Sequence, residues 1–478
     1  MLLVSPDRFT DMNDGAGTWI VKKAAVVVPM LLVGSLMAQI GASPSARQDA
    51  VKTTADPRIA AALRQVSASR IQADIEKLVS FGTRLTLSAQ DPMAIASGRG
   101  IGAAREWIKA QFEQYSKDCG GCLEVKTDSF IEGPADRIPK PTQIINVYAV
   151  LKGSDPAEAQ RIVLVTGHYD SRNSDVLDLS GDAPGANDDA SGTAVSLECA
   201  RVLSTMKFPA TIIFLAVAGE EQGLNGSGHF AKMAKDERWE LEAALNNDIV
   251  GGDKSAEQDP VVRVFSEGVP VAATEQEIRR MRGLGGESDS GSRELARYIA
   301  EVGRTYDAGV NPMLVFRLDR YLRGGDHYSF NQQGFAAVRL TEFREDFHHQ
   351  HQNVRTENGI EYGDLPKFVD YDYVADVARL NGATLASLAS APGPPANVHI
   401  LTKELENDST LTWDAAPGAT GYEVLWRATT SPDWEHAESF GNATRATLKL
   451  SKDNFIFAVR AVDGAGHRSL PVVPTPAR

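Results

Sequence analysis

Five short stretches of this chain carry acids and histidines in a pattern that could hold two metal ions beside an acid left free for proton transfer. They read Gly167-His168-Tyr169-Asp170-Ser171, Gly185-Ala186-Asn187-Asp188-Asp189-Ala190-Ser191-Gly192, Gly219-Glu220-Glu221-Gln222-Gly223, Asn247-Asp248-Ile249 and His348-His349-Gln350-His351. Imidazole nitrogen and carboxylate oxygen are donors that zinc accepts, and its catalytic sites keep one position open for water or substrate. His168 and Asp170 lie two apart on an extended segment and so share a side, which lets Asp170 orient a ligating His168. Asp188 and Asp189 sit together in a Gly-rich turn ahead of a helix. One acid suffices as a helix N-cap, and a carboxylate has two oxygens with which to bridge two cations; that use is assigned to Asp188. Glu220 and Glu221 follow a buried apolar run, where adjacent acids repel each other unless a cation is present. A metal can take one and leave the other as general base toward water. Asp248 and one histidine of the 348–351 cluster would complete two three-ligand sets around the shared Asp188. This chemistry is hydrolytic.

Residues so far apart need a scaffold that delivers them to one edge. The segments 161–166, 211–218 and 335–340 are short, nearly continuous apolar runs, and a helix over 192–206 lies between the first two. Buried β-branched runs alternating with helices imply an α/β fold, a mostly parallel central sheet with helices on both faces. Ile71, Ile75, Leu78 and Val79 fall at helical spacing, as do Ala103, Trp107, Ile108 and Phe112 within 102–116. Residues 145–151 alternate as a strand. The Glu-, Arg- and Gly-rich segment 253–330 is read as an insertion that shapes the substrate site. Beyond Ala391-Pro392-Gly393-Pro394-Pro395 the chain turns into short strands with turn residues between them, which indicates an all-β sandwich.

The five motifs resemble the co-catalytic di-zinc aminopeptidases, the secreted bacterial leucine-type enzymes and their relatives. The likeness runs over about residues 70–390, and the motifs occur in family order. It implies two Zn2+ ions per chain. His168 and Asp248 would hold one, Glu221 and His351 the other, with Asp188 bridging and the Asp188–Asp189 peptide bond cis. Asp170 would orient His168. Glu220 would take the proton from the water that bridges the metals and return it to the leaving amine. Among His348, His349 and His351 the resemblance favours His351. The family's usual Asp shortly after its last His ligand is absent from His351-Gln352-Asn353-Val354-Arg355. Gly325-Asp326-His327-Tyr328-Ser329-Phe330 resembles the family's Ser-Asp-His segment, which makes His327 or Tyr328 a candidate partner for a developing oxyanion. Trp413, Tyr422 and the segment 457–463 resemble a fibronectin type III domain over residues 395–474. Such a module is expected to carry no catalytic residue and to contact a surface or polymer.

Composition bounds the reading. A net charge of −14 argues against nucleic acid as a partner. Lys22 and Lys23 precede an apolar run over 24–37, followed by small residues. A membrane span needs about 20 apolar residues, so the run suits a signal peptide and leader over 1–46, with no stable membrane span after cleavage. Asp7, Asp11 and Asp14 do not suit such a leader, and Met12 is the expected start. A linker is expected over 47–69 and the catalytic domain over 70–390. Export to the periplasm or the medium favours a local disulfide in Cys119-Gly120-Gly121-Cys122, with Cys199 a buried free thiol. The whole reads as an exported zinc aminopeptidase removing N-terminal residues from peptides. A glutaminyl cyclase-like or carboxypeptidase relative, or a non-catalytic binding ectodomain, are the alternatives.

Overall fold

Segments too apolar to face water line up side by side in the computed structural model, which describes residues 53–252, 260–403 and 405–477. Eight strands form the main sheet: β1 (Leu123–Glu132), β2 (Thr142–Leu151), β3 (Arg161–His168), β4 (Thr211–Val217), β5 (Glu240–Asn247), β6 (Val261–Ser266), β7 (Asn311–Val315) and β8 (Ala337–Glu342). Their order is β1-β2-β4-β3-β5-β8-β6-β7. β3 runs parallel to β4 and β5, β5 to β8, and β6 to β7, while β1, β2 and the β6–β8 pair are antiparallel. Every residue of β4 is buried, as a strand covered on both faces requires.

Ten helices accompany the sheet: α1 (Pro57–Leu63), α2 (Ala68–Val79), α3 (Pro92–Ser97), α4 (Ile101–Asp118), α5 (Ala190–Leu203), α6 (Asn225–Asp236), α7 (Glu275–Leu284), α8 (Gly291–Tyr306), α9 (His327–Gln332) and α10 (Tyr371–Ser390). α1, α2, α4, α5, α8 and α10 share the larger core. α6 and α9 cover the other face, setting Phe230 and Phe330 against Leu164, Ile213 and Leu215. In α2 the Ser67 hydroxyl caps the first turn by accepting from the Arg70 amide, and Ile71, Ile75 and Leu78 are fully buried. No helix among the described residues is long and apolar enough to cross a membrane. Cys119 and Cys122 are joined by a disulfide, and Cys199 is free and buried.

Two expectations are corrected. The signal-and-leader stretch 1–46 and the first part of the 47–69 linker lie outside the described residues, but the rest of that linker is structured. The Asp56 carboxylate caps α1, Pro57 suits its first position, and Ile59, Ala62 and Leu63 enter the main core. A two-turn helix is too short to give a visible period. The segment 253–330 is likewise no mere insertion, since β6 and β7 finish the sheet and α8 packs against it.

A small hairpin, β9 (Arg355–Glu357) and β10 (Ile360–Tyr362), follows the histidine cluster. The C-terminal strands are β11 (His399–Leu401), β12 (Ser409–Thr412), β13 (Gly421–Ala428), β14 (His436–Ser439), β15 (Arg445–Leu448), β16 (Phe455–Val462) and β17 (Thr475–Ala477). They form sheets β15-β12-β11-β17 and β14-β13-β16 around Leu411, Trp413, Tyr422, Val424, Phe457 and Val459. This sandwich packs against α8. Glu294, Arg297, Tyr298 and Glu301 recur at helical spacing as a polar stripe of α8 that faces it. Trp434 Nε1 donates to Glu294 (2.8 Å), Arg297 Nε to the Pro432 carbonyl (2.6 Å), and Tyr298 to the Arg468 carbonyl (3.0 Å). Buried Arg460 pairs with both Glu301 and Glu423 at 2.8 Å. Arg460→Met leaves Glu301 without its guanidinium partner, while Glu423 keeps Arg468 at 3.0 Å, and removing one partner of a buried pair costs about 3 kcal/mol or more. Chemical denaturation is expected to show that loss; an unchanged midpoint would mean the pair adds nothing to docking.

Candidate metal centre

The parallel strands bring the chemistry to one edge. His168 is the last residue of β3. Just before it, Gly167 lets the strand end touch the first turn of α5, because a Cβ there would lie 2.3 Å from Gly192. Asp189 then ties the two together: its carboxylate accepts from the Gly192 amide as N-cap and from the His168 amide, both at 2.9 Å. Glu220 and Glu221 follow β4 past Gly219, whose φ is +79°. Asp248 directly follows β5. His351, at φ +56°, comes from the loop beyond β8. Binding groups collect at the carboxyl ends of such strands because every crossover loop begins there.

Asp188 stands at the middle. Its Oδ1 is 3.1 Å from His168 Nε2, and its Oδ2 is 2.8 Å from His351 Nε2. Asp248 Oδ1 lies 3.9 Å from His168 Nε2, and Glu221 Oε1 lies 2.8 Å from His351 Nε2. The result is two sets, His168/Asp188/Asp248 and Asp188/Glu221/His351, each with donor atoms within 4.8 Å of one another. Nitrogen and carboxylate oxygen so grouped fit a divalent cation of the zinc type. The Asp188–Asp189 peptide bond is cis.

Electrostatics make the same point. Burial, together with the carboxylates of Asp248, Glu221 and Asp326, pushes Glu220 well above the usual carboxylate range. Against the pull of burial, His351 and His168 hold Asp188 well below it. Arg339, pairing with Asp248 Oδ1 at 2.7 Å, lowers that carboxyl against the same pull of burial. A cation within either set would draw the remaining acids down.

Of the three clustered histidines, His351 alone reaches Asp188 and Glu221. His348 is exposed and pairs with Asp346, and His349 stacks on Phe368 at 3.7 Å. Three expected roles change. The Asp170 carboxylate is 3.5 Å from His168 Nδ1, too long for a good hydrogen bond, whereas the Asp170 carbonyl is at 3.1 Å. That carboxylate accepts instead from Thr86 (2.9 Å) and from the Glu221 amide (3.2 Å), so it fixes the Glu220–Glu221 turn and touches no reacting atom. His327 Nε2 donates to the Leu318 carbonyl at 2.9 Å, and neither it nor Tyr328 lines the cavity over the metal sets. Within that segment the acid is the notable group: Asp326 is fully buried, and burial pushes it up to about 7.

Several supporting residues escaped sequence reasoning. Asp364 accepts from the amides of Asn187 (2.8 Å) and Asp188 (2.7 Å), which fixes the bridging turn. Arg84, fully buried, donates to the carbonyls of Tyr169, Pro184 and Gly185. Arg172 donates to Glu221 Oε2 at 2.8 Å and to His351 Nδ1 at 2.6 Å. Only Arg339 had a signal: a charge inside the apolar run of β8 has to find a buried partner.

Comparisons with known proteins give the chain's relatives. The family model described as Peptidase family M28 matches residues 146–365. A probable zinc metalloprotease of Leptosphaeria maculans is 47% identical over 431 residues, which cover 89% of this chain and 99% of that one. One from Pyricularia oryzae is 48% identical over 434 residues, covering 88% and 85%. The solved structure of the Legionella pneumophila LapA aminopeptidase matches at a TM-score of 0.50 and 20% identity, over 72% of this chain and 77% of that one. The likeness to that bacterial enzyme is one of fold, and the two sequence relatives named are fungal.

Proposed function

From the premise that this chain belongs to peptidase family M28, we propose that it is a zinc-dependent aminopeptidase with two metal ions per chain. One observation carries the reading: the two oxygens of Asp188 face different histidines, so a single carboxylate serves both ligand sets. His168, Asp188 and Asp248 would hold one zinc, and Asp188, Glu221 and His351 the other. Zinc held there would supply Lewis acidity toward the scissile carbonyl and toward the attacking water. The chain's own residues do the rest. Glu220 opens onto a cavity of about 600 Å³ over the site, and no donor among the described residues holds its carboxylate. It accepts a proton as the water oxygen bonds to the carbonyl carbon, then gives that proton to the amide nitrogen as the carbon–nitrogen bond breaks. Asp170 keeps the Glu220 turn in place, and Asp189 keeps His168 at the head of α5.

The leader expected over 1–46 and the local disulfide support export, and the C-terminal strands suit a fibronectin type III-like module. The function is tested with zinc-loaded protein and three peptides: one with a free N-terminus, its N-acetylated form, and one beginning with glutamine. Stepwise trimming of the free forms alone is the expected result. Cleavage of both free and acetylated peptides would make the enzyme a carboxy- or endopeptidase. Ammonia loss confined to the glutamine peptide would make it a cyclase.

A further inference from the structure

Among the described residues the cavity over the metal sets is lined by Arg137, Arg172, Arg320 and Arg323 and by no lysine. In a chain of net charge −14 this gathering of guanidinium groups runs against the overall balance. Arg172 is committed to Glu221 and His351. Arg320 is held by Asp319, Glu345 and the Gly324 carbonyl, so Arg137 and Arg323 are the two with donors to spare. Arg137, exposed on the β1–β2 loop, gives one nitrogen to the Glu221 carbonyl at 3.0 Å, and its remaining nitrogens meet no acceptor among the described residues. Across the cavity, one carboxylate, Glu345, serves three guanidinium groups: Arg263 at 2.8 Å, Arg320 at 2.7 Å and Arg323 at 3.0 Å. Two divalent cations would balance the four acids of the cavity floor, Asp188, Glu220, Glu221 and Asp248. The arginine rim would then stand in excess. Position matters as much as charge. Arg323 Nη1 approaches Gln350 Oε1 at 3.5 Å, and Gln350 Nε2 donates to Asp188 Oδ2 at 3.0 Å, so one side chain separates the rim from the bridging acid.

We propose that this rim recognises a carboxylate carried by the peptide beside its scissile bond, so that acidic or very short peptides are the preferred substrates. The inference rests on the peptidase reading above. A guanidinium fork matches a carboxylate in shape and charge, which an ammonium does not. The carboxylate can come from an Asp or Glu side chain or from the free C-terminus of a dipeptide, and matched substrates separate these sources. Zinc-loaded full-length protein is assayed with amidated peptides carrying Glu or norleucine at the first or second residue, and with Leu-Ala as free acid and as amide. At least one carboxylate-bearing member is expected to exceed its neutral partner in kcat/KM by about tenfold or more, the size of one charge-assisted hydrogen bond. Whichever pair shows it names the source. Arg323→Gln or Arg137→Gln, both at exposed positions, is expected to bring that ratio close to one, and Arg→Lys at the same position to restore it only in part. Calorimetric binding of the same peptides to zinc-loaded Glu220→Gln protein gives the comparison without turnover. Ratios near one in every pair, or ratios that neither arginine substitution alters, would overturn the proposal while leaving the peptidase intact. No cleavage or binding of any peptide would bring down the peptidase reading itself.

Discussion

Glu220→Gln is expected to keep two metal ions per chain while losing roughly a hundred- to ten-thousandfold in turnover, the range for a positioned general base. Glutamine matches glutamate in size but cannot take up a proton. The substitution should not disturb the fold, because no donor among the described residues depends on that carboxylate and the turn is held through its backbone by Asp170. It also removes one of several mutually repelling acids, since Asp248, Glu221 and Asp326 all push Glu220 upward. Metal content and kcat measured on one sample give the answer. Near-normal turnover with metal retained would remove Glu220 as the base, and loss of a metal would make it a ligand instead.

Asp188→Asn is expected to empty both ligand sets together. An amide offers one oxygen where the carboxylate offers two, and its NH2 group would face one of the two histidines. Losing a partner outside the ligand set typically costs 10–100-fold in metal affinity, so loss of a shared ligand should cost at least about a hundredfold at each set. The turn itself should survive, because Asp364 grips the backbone amides of Asn187 and Asp188 rather than the side chain. Dialysis against buffered zinc followed by metal analysis distinguishes the cases. If one ion remained at native affinity, Asp188 would serve a single metal and the bridging assignment would fall.

The legible parts of this protein are those whose cause is local. His168 and Glu220 could be singled out because each follows strand-like sequence at a place where a polar group needs a partner, whereas Asp248 entered only as the acid that completes a ligand set. The sheet was legible wherever apolar runs were continuous, as in β3, β4 and β8. It was less so in β5, whose sequence opens on Glu240 and Glu242 and relies on alanines, and in β6 and β7, which sit among polar residues and pass for an insertion. α1 was hidden because two turns show no period.

The sequence by itself determined the donor types, their order along the chain and the kind of cation they suit, because ligand chemistry belongs to side chains. The pairings came from the resemblance, and tertiary structure brings the residues together. Three histidines within four residues differ little in local sequence, and the left-handed turn at His351 is where the one favoured meets Asp188. That Asp170 fixes the glutamate turn more than the imidazole, that Asp364 and Arg84 brace the bridging loop, and that arginines from separate loops ring the cavity all depend on contacts between remote segments. Such contacts leave no periodic trace in a sequence, since each requires only that a polar group, once buried, find a partner somewhere in the fold.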